Sequence, residues 1–300
     1  MEVSEVQCKS ILTRSGGYLR EVCSHSVNPY IGCGFGRSAC GAGCYVRHNA
    51  WLTKGRDWGS FVEVKANAPE VYMHTYKAEQ RWAHRRDQPF CIFFSSSTEP
   101  WQPIEKKYRI TRCLLEAMRM HPPDELILQT HAVAMRDDLS LVAALSRQCR
   151  LRVHVSIESD IDRLPGLPPP PTTVQARIDL LRQLRSAGIV AVACLSPLYP
   201  MQNPDAFFEQ LADAGASAVV IDHFIEGDGT LEGSRTWKTD LPRAMQTVSA
   251  DSTALEYRDR IAAVAQKYLP VGISASRLLP NVTFPRAKDF LYTILSEMPT

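Results

Sequence analysis

Short β-branched or apolar runs alternate along this chain with longer amphipathic ones. FVEVK (61–65), FCIFFSS (90–96), ELILQTH (125–131), RVHVSIE (152–158), VAVACLS (190–196) and AVVIDHF (218–224) predict strands. Between them, helices are predicted over 69–85, 104–120, 139–148, 172–188 and 204–215, where apolar residues return at helical spacing. Two of these helices carry end signals. Thr172–Thr173 can cap a helix that starts near Val174, with Gly188 just past its last apolar position; Asn203, Pro204 and Gly215 repeat the device.

Strand–helix alternation at this pitch calls for a parallel sheet with right-handed crossovers. The strands read as apolar on both faces, as they would between covering helices and a barrel interior. The expected fold is therefore α/β: a partial (β/α)6 TIM-like barrel over residues 1–225 with a C-terminal helical extension over 226–300. PGLPPPPT (165–172) looks like a linker, but the rhythm runs unbroken on both sides, which makes it a stiff surface crossover. The stretch 226–240 reads as a loop, followed by helices over 252–268 and 287–297.

Composition narrows the class. The 300 residues are 45% hydrophobic and 22% charged, enough for a substantial core. A formal charge of +2 gives no global pull toward nucleic acid. No apolar run has the length of a membrane span, and the first residues lack the layout of a secretion signal, so a cytoplasmic protein without membrane partners is expected. Nine cysteines in a reducing compartment are poorly explained by disulfides. Cys91, Cys113, Cys149 and Cys194 lie in apolar runs, where a thiol behaves as a small hydrophobe.

Cys33, Cys40 and Cys44 are different. They sit in NPYIGCGFGRSACGAGCYVRHN, among glycines, serine and alanine that give no packing reason for thiols. Thiolates are soft ligands for zinc or iron–sulfur clusters. Zinc would need a fourth ligand, and His48 is the candidate for a Cys3His site. An iron–sulfur cluster held by three cysteines accounts for the glycines, which let backbone wrap a bulky inorganic core, and leaves one iron open to a ligand.

NPYIGC followed by a cysteine-rich loop ending in CYVR resembles the radical S-adenosylmethionine (SAM) superfamily, more narrowly its spore photoproduct lyase-like branch. FVEVKANAPEVY, SSSTEPWQPIEKKYRITRCLLEAM and RVHVSIES follow in the same order, so the resemblance covers roughly residues 10–225. The spacing departs from the superfamily's usual C-x3-C-x2-C: here it is C-x6-C-x3-C within a loop over 28–50. Gly43 fills the slot where the family usually has an aromatic against adenine, and Tyr45 is the substitute from the next position.

The resemblance implies a [4Fe-4S] cluster on Cys33, Cys40 and Cys44, SAM on its open iron, and reductive cleavage to a 5′-deoxyadenosyl radical. It also implies an electron donor such as flavodoxin or ferredoxin. Ser97, Thr98 and Glu99 would hold the methionine amino group. Ser156 and Glu158 would meet ribose or carboxylate, Arg177 the methionine carboxylate, and Ser196 would end the strand that packs adenine. Lys65, Asn67, His131, Asp222 and His223 are the candidate substrate contacts, at the C-terminal ends of strands where α/β folds keep their chemistry. The hydrogen would come from a small molecule, a nucleoside or a peptide. Photoproduct lyases use a cysteine near the SSSTEP position, and this chain has Ser95–Ser97 there; with the near-neutral charge, this argues against DNA repair. The rival from another class is a zinc-stabilised, non-catalytic binding module.

Overall fold

A computed structural model describes residues 1–273. Eleven strands follow in order: β1 Glu2–Val6, β2 Thr13–Arg14, β3 His25–Val27, β4 Tyr30–Gly32, β5 Phe61–Lys65, β6 Cys91–Phe94, β7 Glu125–Thr130, β8 Arg150–Ser156, β9 Val190–Leu195, β10 Ala218–Ile221 and β11 Val271–Gly272. Eight form one sheet in the order β11-β10-β9-β8-β7-β6-β3-β2, parallel throughout except for the antiparallel β2–β3 pair at one edge. Among the described residues this sheet is open, ending at β2 and β11, so it is a partial barrel.

The expected strand over 61–65 exists but belongs elsewhere. β5 sits between β1, parallel, and β4, antiparallel, in a separate three-stranded sheet. The place expected for it in the barrel is taken by β3, whose three residues HSV give too short a pattern to be read from the chain.

Strand alternation divides the barrel's side chains into two sets. Ile92, Phe94, Leu126, Leu128, Val153, Val155, Ala193, Leu195, Val219 and Ile221 are buried in the main core. They share it with apolar positions of the helices Ile110–Met120, Leu139–Ser146, Val174–Ser186, Pro204–Asp213 and Leu255–Ala265. The alternate set, which includes Phe93, Gln129, His154, Cys194 and Val220, borders an internal cavity.

The helix ends follow their chemistry. Thr173 Oγ1 accepts from Ala176 N at 3.2 Å, and Asn203 Oδ1 accepts from Ala206 N at 3.2 Å. Gly188 and Gly215 leave their helices at φ +68° and +91°. The helix expected over 104–120 is broken at Arg109, φ 54°, into Glu105–Tyr108 and Ile110–Met120. The Glu105 carboxylate receives the N–H groups of Thr111 and Arg112 (both 3.1 Å) and so caps the second segment from within the first.

The proline-rich stretch is more than a surface crossover. Leu164 and Leu167 are buried with Phe224, Leu241 and Met245, and Pro169 O accepts from Ala39 N in the cysteine loop at 3.0 Å. In the expected loop over 226–240, a turn over Phe224–Gly227, with Glu226 at φ 66°, runs in and a 3-10 turn Thr236–Lys238 interrupts it. The helix expected over 252–268 is found as Leu255–Ala265; the one expected over 287–297 lies outside the described residues. No helix among the described residues is long and apolar enough to cross a membrane.

Candidate functional site

The site is a cavity of about 810 Å³ at the C-terminal ends of the parallel strands. Cys33, Cys40 and Cys44 all border it, although they come from separate parts of a tightly wound loop. Cys33 follows β4; Cys40 lies in the short helix Ala39–Gly43, and Cys44 is its C-cap. Glycine is required for this winding: a Cβ on Gly41 would land on the Gly36 backbone, and one on Gly36 would land on Gly59. Burial pushes the thiols up, Cys44 to about 12 and Cys33 further, with Cys40 adding to both. Unaided, the loop keeps Cys33 and Cys44 neutral; as thiolates those two need a cationic centre.

Beneath the loop lies a buried chain of charges. Glu158, 8% exposed, receives Arg177 Nη1 at 2.6 Å on one oxygen and lies 2.9 Å from His131 Nε2 on the other. Arg177 Nη1 also donates to Ser156 O at 2.7 Å. Burial alone would raise the Glu158 pKa, but Arg177 and His131 outweigh it and hold the carboxyl well below its ordinary range. Burial would lower His131; Cys40 and Glu158 reverse this and raise it.

Glu99 anchors the next strand end. Its Oε1 accepts from Trp101 N (3.0 Å) and Thr130 Oγ1 (2.6 Å), and its Oε2 from His131 N (2.8 Å). Thr98 Oγ1 donates to Gly32 O at 2.6 Å, tying the segment after β6 to the strand that leads into the cysteine loop. Ser97 N donates to Asn28 Oδ1 at 3.0 Å. Ser196 Oγ donates to Asp222 Oδ2 at 3.2 Å across the ends of β9 and β10.

The cavity wall thus gathers Tyr45, Ser97, Thr98, Glu99, His131, Glu158, Arg177, Ser196 and Asp222 with the three cysteines. Other expected site residues are not part of it. Lys65 Nζ donates to Asn28 O at 2.8 Å, and Asn67 exchanges hydrogen bonds with the Cys8 backbone, because β5 is not a barrel strand. Ser156 is fully buried against Gln129. His223 accepts from Ile225 N through Nδ1 and turns toward Ser252 and Arg258, where burial first and then the Arg258 charge lower its pKa to about 4. His48 is exposed, stands beside Arg47 and Lys238, and does not border the cavity, so it does not complete a zinc site with the cysteines. Among the described residues, no three His, Cys, Asp or Glu side chains are drawn together closely enough to hold a single metal ion.

Sequence reasoning missed several groups in the wall, Asn49, Asp162 and Glu226 among them, and two matter most. His154 shares the inward face of β8 with Ser156, a polar residue inside an apolar run, and that alternation was a usable signal. It is 4% exposed, Nε2 has no hydrogen-bond partner among the described residues, and burial followed by the Arg152 charge lowers its pKa to about 3. Arg235, Gly229 and Thr230 come from the loop after β10, which no pattern ties to the site.

The donor set suits an iron–sulfur cluster: three soft thiols in a glycine-dependent loop, around one cavity large enough for further ligands. No family model matches the chain. Uncharacterized proteins of Mycobacterium tuberculosis are 29% identical over 230 residues, covering 72% of this chain and 63% of theirs. One of Methanocaldococcus jannaschii is 29% identical over 176 residues, covering 58% and 60%. The chain therefore spans less than two thirds of the curated relatives it matches. Among solved structures, a spore photoproduct lyase variant with bound AdoMet and dinucleoside spore photoproduct superposes with a TM-score of 0.60 at 15% identity, covering 91% of this chain and 82% of that one. A second variant, with dinucleoside spore photoproduct, gives 0.61 at 15%, covering 91% and 81%. Over nine-tenths of its length, this chain has the fold of spore photoproduct lyase.

Proposed function

We propose that this chain is a radical SAM enzyme, with a [4Fe-4S] cluster on Cys33, Cys40 and Cys44, SAM beside it, and a small-molecule, nucleoside or peptide substrate in the remaining volume. One observation carries the reading: three thiols from a glycine-bound loop border the same 810 Å³ cavity as a buried, hydrogen-bonded set of polar strand ends that includes Glu99, His131, Glu158 and Arg177. When bound, the cluster supplies an electron, from a donor such as flavodoxin or ferredoxin, that cleaves the sulfonium bond of SAM and frees a 5′-deoxyadenosyl radical to take hydrogen from substrate.

The chain's own residues bind, orient and exclude water. Glu99 Oε2 has one short hydrogen bond, from His131 N, and so has capacity to accept from the methionine amino group. Glu158, fixed on both sides by Arg177 and His131, presents a carboxylate that stays ionised for ribose hydroxyls. With Arg177 committed to Glu158, the methionine carboxylate needs other donors, such as Ser97. Tyr45 faces the cavity beside Cys44, in position to lie against adenine, and Ser196 with Asp222 closes the same side. Pro170, Pro171 and Tyr199 add apolar surface to the wall, which would help keep water from bound SAM.

The test is anaerobic reconstitution. The protein should turn brown, bleach in air, and release 5′-deoxyadenosine from SAM when reduced; the Cys40→Ala variant should keep its circular dichroism and release none. Undiminished 5′-deoxyadenosine from Cys40→Ala would remove that thiol from the cluster and defeat the reading.

A further inference from the structure

The cavity wall contains two arginines in opposite electrostatic situations. Arg177 is neutralised by Glu158 at 2.6 Å. Arg235 has no carboxylate within ion-pair distance among the described residues, and its guanidinium makes a hydrogen bond only to Asp228 O, at 3.1 Å from Nη1. A guanidinium is a planar fork of five donors, and here most are uncommitted toward a cavity.

The loop is built to hold this group in place. The Asp228 carboxylate accepts from Thr230 N (3.0 Å), Thr230 Oγ1 (2.6 Å), Arg235 N (2.9 Å) and Thr236 N (2.8 Å). Its acceptors are thus spent on closing the loop. Gly229, at φ +80°, gives the guanidinium its bed: a Cβ there would stand 2.8 Å from Arg235 Nη1. Tyr45 borders the same cavity. The Tyr45 hydroxyl has no hydrogen-bond partner among the described residues and offers the cavity a further donor.

We infer that Arg235, held across Gly229 by the Asp228-closed loop, binds an oxyanion of the substrate, a phosphate or a carboxylate, in the cavity whose wall it shares with Tyr45. The word substrate rests on the proposed activity; the anion site itself does not. The enzyme would then discriminate in favour of acids such as nucleotides or amino acid carboxylates over their neutral counterparts, because a bidentate guanidinium contact is lost with the charge.

Inorganic phosphate and, separately, acetate titrated into the reconstituted, SAM-saturated protein at constant ionic strength provide the test, followed by calorimetry. Saturable binding is expected, weakened at least tenfold in Arg235→Gln and less in Arg235→Lys. Gly229→Ala, which keeps the charge but displaces the fork, should also weaken binding. The stronger of the two anions identifies the group. Absence of binding, or equal binding by Arg235→Gln, overturns the inference. So does competition between phosphate and SAM with SAM binding tenfold weaker in Arg235→Gln, since Arg235 would then serve the methionine carboxylate. The same titration on Cys40→Ala protein separates this site from the cluster: phosphate binding should persist there, and it would still support the anion site if no cluster forms in any preparation.

Discussion

At the scale of single residues, many of the side chains singled out from the sequence border one cavity, but neighbours decided what they touch. Glu158 and Arg177 were read as separate ligand contacts; they are one buried pair, with both side chains no more than about a tenth exposed. Removing one charge from such a pair strands the other, which typically costs about 3–5 kcal/mol, whereas replacing both is much cheaper. Glu158→Gln should therefore lower unfolding free energy by that order in urea titrations, and adding Arg177→Met should restore most of it. A loss under about 1 kcal/mol for the single variant, against a typical surface pair, would contradict the pairing. Lys65 and Asn67 were misassigned because residue type says nothing about which sheet a strand joins.

At the scale of elements, end signals were the most legible feature. Thr173, Gly188, Asn203 and Gly215 act where the chain places them, because caps depend on contacts within a few residues. The break at Arg109 was hidden, since it depends on Glu105 reaching across it. The cysteine loop is partly legible: its glycines announce close approach, but not to what. Gly41 proves to lie on Gly36, and Gly36 on Gly59. Gly41→Ala should cut iron uptake during reconstitution severalfold while far-ultraviolet circular dichroism is retained. Wild-type iron content in that variant would show that the loop tolerates unwinding.

For the whole molecule, buried imidazoles make stability depend on pH. His154 and His223 are held neutral, with pKa lowered to about 3 and about 4. Below the unfolded value near 6.5, the unfolded chain takes protons that the folded one refuses, so their contribution is complete above about pH 6.5 and is lost as pH falls toward 4. Going from pH 7.5 to 5.5 should cost on the order of 2–3 kcal/mol for the two together, read as a lower urea midpoint. In a His131→Gln background, which removes the opposite contribution of that raised imidazole, a midpoint that stays constant over that interval would exclude neutral burial of these rings. Carboxylates such as Glu158 act in the same direction only at still lower pH, where they begin to protonate.

The sequence by itself determined the strand–helix alternation, the helix caps and the unusual clustering of thiols among glycines, because each is a local pattern carried by consecutive residues. Tertiary structure alone decided that β3, not β5, joins the barrel, that Lys65, Asn67 and His223 are excluded from the cavity, and that Arg235 enters it. Those outcomes depend on strand partners and on a loop folded back from far along the chain, and no run of neighbouring residues encodes them.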